Sequence, residues 1–579
     1  MPIFVVTVVS TVFFISVIHT TLYFTFTYSL YTPTVNNNVY PDIWNLTIIH
    51  TNDVHSHYDQ INEEFTDCTA KQLEENKCFG GIARHKTVID RLRRGNKNSL
   101  LLDGGDQFQG TLFFAHYNVK LTIIQMKNLL GYNITTIGNH EFDNGPETLA
   151  AHFEQLSMPI VCANINTTLN PLLGSYIKPY HIFEEYSLAV IGYITEYGVS
   201  NAGPTISFID PIPIVQHYVD EIHSLGINRI VTLSHSGYKF DKELAAKTHG
   251  IAVHIGGHSH SFLSNDVTSK DYSLIEGPYP TIVKNAEGED TLIVQAFWSG
   301  KYIGHLDISF NKVGKLVAYS GEPILIDQSI TQDLGLANLV SHWRSPFDKY
   351  TKITIGNAID AFDQSKCQIE ECTIGNLIAD SLIWYCQQNI SSKLKANSSI
   401  LNNIKFDITK INAAFINAGE IRAGLLEGPI TKANILTIIP FNSSLVILPL
   451  TGKNISDLLE TAVGRSHNII SEKKVSGFIQ VSGIRFKYDS SRPIFGRLIE
   501  IRIWNWDTKI FESIVSDKIY NIATIDFVAN GGDGLLPYPV LGLIPFDTEN
   551  KILTSYILEQ KNIIPYLDGR IQDIAILNK

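Results

Sequence analysis

The sequence has few cysteines and no excess of positive charge. It contains 6 cysteines in 579 residues and no Cys-x-x-Cys pair, which argues against a thiolate zinc finger and a disulfide-dense scaffold. Its formal charge of −12 argues against a nucleic-acid polymer as partner, because such a partner requires a basic face. No internal repeat of about 20–50 residues is present, which excludes solenoids and propellers. What remains is an ordinary globular composition, 44% hydrophobic.

Charged side chains are absent before Asp42, and Val, Ile, Phe, Thr and Tyr dominate residues 3–30. We predict a signal peptide over residues 1–30, with an uncleaved signal anchor as the alternative. The C-terminus lacks the small-residue site and long apolar tail of a lipid-anchor signal. We therefore expect a secreted, extracellular protein whose mature form has no stable membrane anchor. N-glycosylation sequons fit that compartment and stand at Asn45, Asn133, Asn166, Asn389, Asn397, Asn442 and Asn454.

Two pairs of cysteines are close enough in sequence to close small loops in an oxidising compartment. These are Cys68 with Cys78 and Cys367 with Cys372, whereas Cys162 and Cys386 remain unassigned.

Short strand-like runs in the first half each end in a polar loop. They cover residues 46–51, 100–103, 134–137, 230–233 and 251–255, with helical stretches at 83–94 and 121–130 between them. This alternation predicts a layered α/β architecture. We predict a first domain over residues 43–332, a linking helix over 333–350 and a second domain over 351–575.

Metal-ligating side chains stand in the loops that follow these strands. In chain order they are Asp53, His55, Asp106, Asn139, His235, His258 and His260. Carboxylate, imidazole and amide ligands suit Zn, Mn or Fe, and a bridging carboxylate holds two such ions about 3.5–4 Å apart. A single buried histidine is more often a core residue than a ligand. Five such loops after five apolar strands instead indicate a two-metal centre.

The ordered loops resemble the signature of the calcineurin-like metallophosphoesterases. The longer strings at 49–57, 104–110, 138–145 and 530–534 resemble the 5′-nucleotidase and salivary apyrase family, and the match runs from about Ile43 to about Ile571. This resemblance implies an α/β fold, an α/β/β/α metallophosphoesterase sandwich, followed by a linking helix and an α+β substrate-binding domain.

The same resemblance implies a ligand set for two divalent metal ions. Asp53, His55 and Asp106 would bind the first ion, with Asp106 bridging, and Asn139, His235 and His258 would complete the second. His260 replaces the amide that serves many relatives as a weak ligand of the first ion. We expect zinc, with manganese, calcium or magnesium as alternatives.

His140 directly follows the expected ligand Asn139, and Asp143 stands three residues further on. The resemblance makes this pair a catalytic dyad. A carboxylate on one imidazole nitrogen favours the cation, which stabilises charge on the phosphoryl group during transfer. The alternative is that Asp143 only caps the turn at Asn144-Gly145.

The second half contains residues that match the family's nucleotide pocket. Phe441 and Phe527 match the two rings that stack on the nucleobase. Asn417 and Arg422 match a motif whose arginine meets phosphate, and Asp533 in a Gly-rich turn matches the residue that binds ribose hydroxyls. Two departures weaken the expected phosphate affinity. Gln368 stands where arginine is usual, and Glu420 where glycine is usual.

We therefore predict a hydrolase that converts nucleoside 5′-monophosphates such as AMP to nucleoside and phosphate. The first alternative is an apyrase that converts ATP and ADP to AMP. A remoter alternative is a non-catalytic extracellular nucleotide-binding protein, against which the intact ligand set argues. The expected partners are thus AMP, ADP and ATP, and the sequence leaves monomer and homodimer open.

Overall fold

The computed structural model describes residues 43–117, 122–195, 199, 202–351, 353–396, 410–441, 443–465, 477–537 and 545–577. These residues lie in one compact unit, Asp42–Lys579. The signal segment predicted over residues 1–30 falls outside the described residues, as do the sequons at Asn397 and Asn442. Among the helices in these ranges, none combines the length and apolarity needed to cross a membrane.

The first sheet has strand Trp44–Thr51 near its centre, where residues on both faces of the strand are buried. It pairs in parallel with Ser99–Asp103 and antiparallel with Tyr302–Phe310. The order of the main path is Leu316–Gly321, Tyr302–Phe310, Trp44–Thr51, Ser99–Asp103, Ile134–Thr136, Ile160–Val161 and Ile177–Lys178, and Ile324–Leu325 also pairs with Tyr302–Phe310.

A second sheet packs face to face on the first. Its strands are, in order, Thr281–Lys284, Asp290–Val294, Val253–Ile255, Arg229–His235, Leu188–Ile194 and Tyr180–Phe183. Leu46 and Ile48 of the first sheet and Val231 of the second belong to one buried cluster between them. Neighbouring Ile49 belongs to the cluster on the outer face, as strand alternation requires.

Helices cover the two outer faces. Five of the longer ones are Ile82–Gly95, Thr122–Leu130, Gly145–Phe153, Pro211–Ser224 and Tyr238–Lys247. Asp210 begins the helix Pro211–Ser224 by accepting a hydrogen bond from the Ile212 amide, and Pro211 occupies the first turn of that helix. Shorter helical segments are Ala70–Glu74, Leu112–Tyr117, Asn139–Phe142, Pro171–Gly174, Glu184–Tyr186 and Tyr272–Leu274, and short strand pairs join Ile165–Asn166 to Ser207–Phe208 and Phe262–Leu263 to Ile275–Gly277.

The helix Leu334–Arg344 follows the two sheets and begins at Asp333, whose side chain accepts a hydrogen bond from the Leu336 amide. Ser345–Phe347 and Asp348–Thr351 continue it in short helical segments. Leu336, Val340 and Trp343 are buried on one face, the apolar face that the sequence indicates.

The remaining residues form three small sheets and flanking helices. The sheets contain Gly428–Thr431, Thr354–Ala358 and Asn562–Ile563; Leu445–Thr451, Ile519–Ile525, Ala413–Asn417 and Ile479–Ser482; and Ile510–Ser513, Leu498–Asn505, Ile484–Tyr488 and Ile571–Asp573. The helices are Thr373–Ala396, Ala418–Glu420, Lys432–Ile438, Gly452–Arg465, Asp526–Ala529, Gly532–Gly534, Glu549–Gln560 and Ile574–Leu577.

This architecture confirms the predicted fold class, two layered α/β sheets followed by a helix and an α+β region. Both predicted cysteine pairs form disulfides, Cys68 with Cys78 and Cys367 with Cys372. Cys162 and Cys386 are free and buried. The exact domain boundaries at 332 and 351 stay a prediction.

Candidate active site

Loops at the carboxyl ends of the strands from both sheets converge on one cluster. Trp44–Thr51 leads to Asp53, Ser99–Asp103 leads to Asp106, and Arg229–His235 ends on His235. One ligand atom from each of Asp53, Asp106 and His235 lies within 4.8 Å of the other two, and the same holds for Asp53, His55 and His260. Asp53 is common to both groups.

The nitrogen and oxygen atoms of the cluster lie close to one another. His235 Nε2 lies 3.1 Å from Asp106 Oδ2, and His260 Nε2 lies 3.4 Å from Asp53 Oδ1. His258 Nδ1 lies 2.9 Å from Asn139 Oδ1. The structure therefore brings together every side chain that the sequence analysis nominated as a ligand.

Backbone carbonyls select the tautomers of two of these histidines. His235 Nδ1 lies 2.7 Å from the Gly104 carbonyl oxygen, and His55 Nδ1 lies 3.0 Å from that of Phe108. Each carbonyl accepts the Nδ1 proton, which leaves Nε2 as a lone-pair donor. His235 Nε2 is buried and makes no hydrogen bond within the described residues, although Asp106 Oδ2 lies 3.1 Å away. In the neutral form of the ring this nitrogen fits a metal ion.

The charges in the cluster also call for cations. Burial lowers the pKa of His235, but the carboxylates of Asp106 and Asp53 outweigh burial and raise it to about 10. Asp53 and Asp106 are both buried, and two buried carboxylates at this spacing require neutralisation. Divalent ions, like a protonated histidine, provide it.

Several members of the cluster adopt a backbone conformation that L-residues rarely use. The residues with positive φ include Asp53 at 50°, His55 at 48°, Asp106 at 53°, His258 at 74° and His260 at 54°. Such conformations cost about 1–3 kcal/mol each and persist where the surroundings enforce them. Their concentration here marks loops that are held for a functional purpose.

His140 lies beside the cluster and pairs with Asp143 as the sequence predicts. His140 Nδ1 lies 2.9 Å from Asp143 Oδ2, and the His140 amide donates to Asp106 Oδ1 at 2.9 Å. Burial lowers the pKa of His140, but Asp143 and Asp106 outweigh it, so that its pKa is raised. The imidazole is thereby held near the cluster with its charged form favoured.

Sequence reasoning missed three residues that position this cluster. Glu141 is buried and its carboxylate accepts hydrogen bonds from the amides of Asp106, Gln107, Phe108 and Gly138, which joins two ligand loops. Asn52 donates to Asp53 Oδ2 at 2.8 Å. The Trp298 ring stacks on His260 with centroids 4.9 Å apart. Glu141 and Asn52 carried a sequence signal as parts of the strings 138–145 and 49–57, whereas Trp298 carried none.

Arg422 and Phe441 extend from the second half of the chain to the metal cluster. Arg422 Nη2 donates to His55 Nε2 at 2.9 Å. The half-buried Phe441 ring lies 5.5 Å from the His140 ring, and the Arg422 guanidinium carbon lies 5.7 Å from the Phe441 centroid. Two of the predicted nucleotide-binding residues therefore adjoin the cluster.

Asn417, Asp533 and Phe527 lie together at the ends of other elements of the second half. Asn417 Nδ2 donates to Asp533 Oδ2 at 2.7 Å, and Asn417 Oδ1 is buried and finds no hydrogen-bond partner among the described residues. The half-buried Phe527 ring packs over Gly532, where any side chain would collide with it. Gln368 is half-buried in the loop closed by Cys367 and Cys372, and Gln364 before it donates to the Ile421 carbonyl beside Arg422.

Comparisons with known proteins agree with this geometry. The calcineurin-like phosphoesterase family matches residues 46–262, and the 5'-nucleotidase C-terminal domain family matches residues 352–542. The chain is 32% identical to the 5'-nucleotidase of Homo sapiens over 91% of this chain and 91% of that protein. It is 31% identical to the snake venom 5'-nucleotidase of Naja atra over 91% of this chain and 98% of that protein.

A solved structure shows the same fold. The 5'-nucleotidase precursor of Thermus thermophilus superposes with a TM-score of 0.80 at 31% identity, over 92% of this chain and 99% of that one. The fold and the side-chain cluster define a calcineurin-like metallophosphoesterase, a phosphoric ester hydrolase. Within that class, the chain belongs to the 5′-nucleotidase family. The family implies a dinuclear metal site, and the Asp and His cluster fits one.

Proposed function

We propose that this protein is a secreted, metal-dependent 5′-nucleotidase that hydrolyses nucleoside 5′-monophosphates such as AMP to nucleoside and phosphate. The observation that carries the proposal is the approach of Arg422 to His55 at 2.9 Å. This contact brings a phosphate-binding guanidinium from the second half of the chain to the edge of the cluster in the first half. A phosphate group bound there would contact both the cluster and the Arg422 guanidinium.

In this proposal the cluster holds two ions. Asp53, His55 and Asp106 would bind the first, with His260 as a further ligand, and Asp106, Asn139, His235 and His258 would bind the second. When bound, the two ions activate a water nucleophile and neutralise charge on the phosphoryl oxygens. Zinc suits a set dominated by imidazole, with manganese, calcium and magnesium as alternatives.

His140 and Arg422 would stabilise the phosphoryl group during transfer. Asp143 holds His140 at Nδ1, so the opposite nitrogen, Nε2, can donate a hydrogen bond to a phosphoryl oxygen. Arg422 supplies planar N–H donors and a charge that persists at neutral pH. Asp143 holds His140 in place before substrate arrives, and such preorganisation reduces the barrier. The lone pair of His55 Nε2 that accepts from Arg422 is the one that the first ion would take, so the bound ion would leave Arg422 Nη2 available to donate to a phosphoryl oxygen.

The nucleoside would occupy the space framed by Phe441, Phe527, Asn417 and Asp533. Stacking on the two rings contributes about 1–3 kcal/mol per base and tolerates different bases. Asp533 would accept a hydrogen bond from a ribose hydroxyl, and the orphaned Asn417 Oδ1 offers a second acceptor. These roles match the family pattern noted in the sequence.

Phosphate release from AMP, ADP and ATP tests the proposal most directly. The full secreted protein should release phosphate from AMP with added zinc, and a chelator should stop the reaction. Release from ATP and ADP without release from AMP would favour the apyrase alternative. That alternative gains some support from Gln368, because an uncharged residue in place of arginine weakens the binding of a single phosphate more than that of a polyphosphate.

The proposal that the protein is secreted rests on residues 1–30 and on the sequons. Asn45, Asn166 and Asn454 are exposed and can carry glycans. Asn133 is half-buried, so we expect it to stay unmodified. Secretion should therefore be accompanied by glycans at the exposed sites, as mass spectrometry of the secreted protein would show.

A further inference from the structure

Two buried carboxyl groups meet beside the proposed nucleotide pocket. Glu420 ends the short helical turn Ala418–Glu420 and is 3% exposed, whereas Glu549 begins the helix Glu549–Gln560 and is 0% exposed. Both contact Ser443, which lies two residues after Phe441. The catalytic chemistry described above gives no role to either carboxyl group.

Ser443 makes three hydrogen bonds to the two acids. Its hydroxyl donates to Glu420 Oε1 at 2.8 Å, and its amide donates to Glu549 Oε1 at 3.3 Å. Its carbonyl accepts from the Glu549 amide at 3.0 Å. The short segment that carries Phe441 is thus anchored to the two acids at Ser443.

No cation forms an ion pair with either acid within the described residues. The charged groups that face Glu420 are Glu549, Asp533 and Asp143, with Arg422 two residues away, and Asp526 also faces Glu549. Besides Glu549 itself, three of these five groups are carboxylates, namely Asp533, Asp143 and Asp526. Two adjacent buried carboxyls in such a field cannot both be ionised.

The hydrogen bonds support a shared proton. Glu549 Oε2 is buried, and no donor in the part of the chain that the structure describes reaches it. A protonated Glu549 removes this defect, because its own O–H donates to the neighbouring Glu420. Burial raises the pKa of Glu420 to about 7, and burial together with the charge of Glu420 raises that of Glu549 well above its usual range.

We propose that Glu420 and Glu549 share one proton and that this acid pair, through Ser443, positions Phe441 for the nucleobase. The proposal rests on the nucleotide-binding role of Phe441 given above. Glu420 and Glu549 are positioning residues, since neither touches the reacting atoms.

Loss of the shared proton should loosen this anchor. Both pKa values are raised in the folded protein. The first proton leaves the pair near pH 7, where the pKa of Glu420 lies, and the one remaining shared proton leaves only at higher pH, as the raised pKa of Glu549 is passed. Repulsion between two carboxylates then acts on Ser443 and displaces the Phe441 ring. Binding of the nucleobase should weaken, while hydrolysis of a phosphate ester without a base should not.

The test compares AMP with p-nitrophenyl phosphate, which has no base or ribose, between pH 6 and pH 10 for the zinc-loaded full protein. In the wild type, the KM ratio of AMP to p-nitrophenyl phosphate should stay constant as the pH passes 7 and rise by about three- to tenfold toward the alkaline end of this range, where the shared proton is lost. Glu420→Gln keeps an acceptor for the Ser443 hydroxyl and replaces the shared proton by an N–H donor to Glu549. The KM ratio of this variant should therefore not change with pH. Glu427→Gln, an exposed glutamate of the same segment, should behave as the wild type. Substrate ionisation is identical for all three proteins.

Two results would overturn the inference: a wild-type ratio that does not change with pH, or a Glu420→Gln protein that retains the full pH dependence. Ser443→Ala provides a second check, because it removes the hydroxyl link and should raise the KM for AMP alone. The proposed function fails differently. A wild type that hydrolyses p-nitrophenyl phosphate but no nucleotide would refute it, whatever the pH profile.

Discussion

Asp106 faces His235 at 3.1 Å and His55 at 3.8 Å and accepts a hydrogen bond from the His140 amide. As a bridging ligand it would contribute its charge to both ions. Asp106→Asn should therefore reduce kcat/KM for AMP to below about a tenth of wild type and lower the metal content. Steady-state kinetics measures the loss of kcat/KM, and metal analysis measures the loss of bound metal. Full activity with two bound ions would contradict the assignment.

His140 should behave differently, since it lies beside the cluster and pairs with Asp143. His140→Ala should retain its metal and lose about a hundredfold or more in kcat, because it removes a donor to the transition state. Metal analysis and kinetics on the same sample separate the two roles. A variant that loses metal in proportion to activity would make His140 a ligand.

At the scale of single residues, the sequence is informative where a side chain binds a ligand and silent where it supports one. Asp53, His55 and Asp106 could be found because their residue types and loop positions indicate metal chemistry. Asn52 and Trp298 act by orienting such ligands, and Asn52 also donates to the carbonyl of the residue before Trp298, far along the chain. No local pattern reveals a contact between residues so distant in sequence.

Among the structural elements, the loops 104–110 and 138–145 depend on each other through Glu141. Glu141→Gln replaces one acceptor oxygen by an amide that faces backbone N–H donors. We expect the zinc affinity to fall by about 10–100-fold with little change in the fold. Zinc titration against a competing chelator measures this.

Glu147→Gln is the matched control, because Glu147 is exposed in the adjoining helix Gly145–Phe153. Its zinc affinity should equal that of the wild type. If both variants bind zinc equally well, the carboxylate of Glu141 does not position the ligand loops.

The turn Gly532–Gly534 and the short helix Asp526–Ala529 together present Phe527. Phe527→Leu should raise the KM for AMP by about tenfold, given the usual strength of base stacking, and leave p-nitrophenyl phosphate unaffected. Kinetics with both substrates provide the comparison. Equal losses for the two would show that Phe527 is a core residue.

Strands and helices were more predictable than their contacts. The runs 46–51, 100–103 and 230–233 are strands because their apolar residues are buried on one or both sheet faces. Which strands become neighbours depends on packing: Trp44–Thr51 pairs with Tyr302–Phe310, far along the chain. The hydrophobic periodicity of a strand does not show which distant strand will pair with it.

For the whole molecule, the metal centre should contribute to stability as well as to catalysis. Without ions, the buried carboxylates of Asp53 and Asp106 depend on neighbouring histidines and on the Arg422 guanidinium for neutralisation. Ligand binding at about 100 times Kd stabilises a protein by about 2.7 kcal/mol, so a chelator should lower the Tm by several degrees. Thermal unfolding with chelator, and again after excess zinc, measures the loss and its recovery. An unchanged Tm would argue against tightly bound ions.

The contact between Arg422 and His55 joins distant parts of the sequence, and no property of either residue predicts it. The resemblance to relatives indicated that the two halves cooperate. The sequence alone did not show that Arg422 would reach a metal-ligand histidine, because the relative placement of the halves depends on packing around the helix Leu334–Arg344.

The placement of the ligand loops has a consequence for biosynthesis. Every strand of the two large sheets ends by Leu325, whereas Asn417 and Arg422 are added to the chain only much later. At about 5–20 residues per second, a ribosome needs on the order of 10 s to synthesise that interval. A nascent chain thus has all of the proposed metal ligands before the residues of the proposed nucleotide pocket have been synthesised. We therefore expect the metal ions to enter first, during synthesis, and substrate recognition to be added to a centre already assembled.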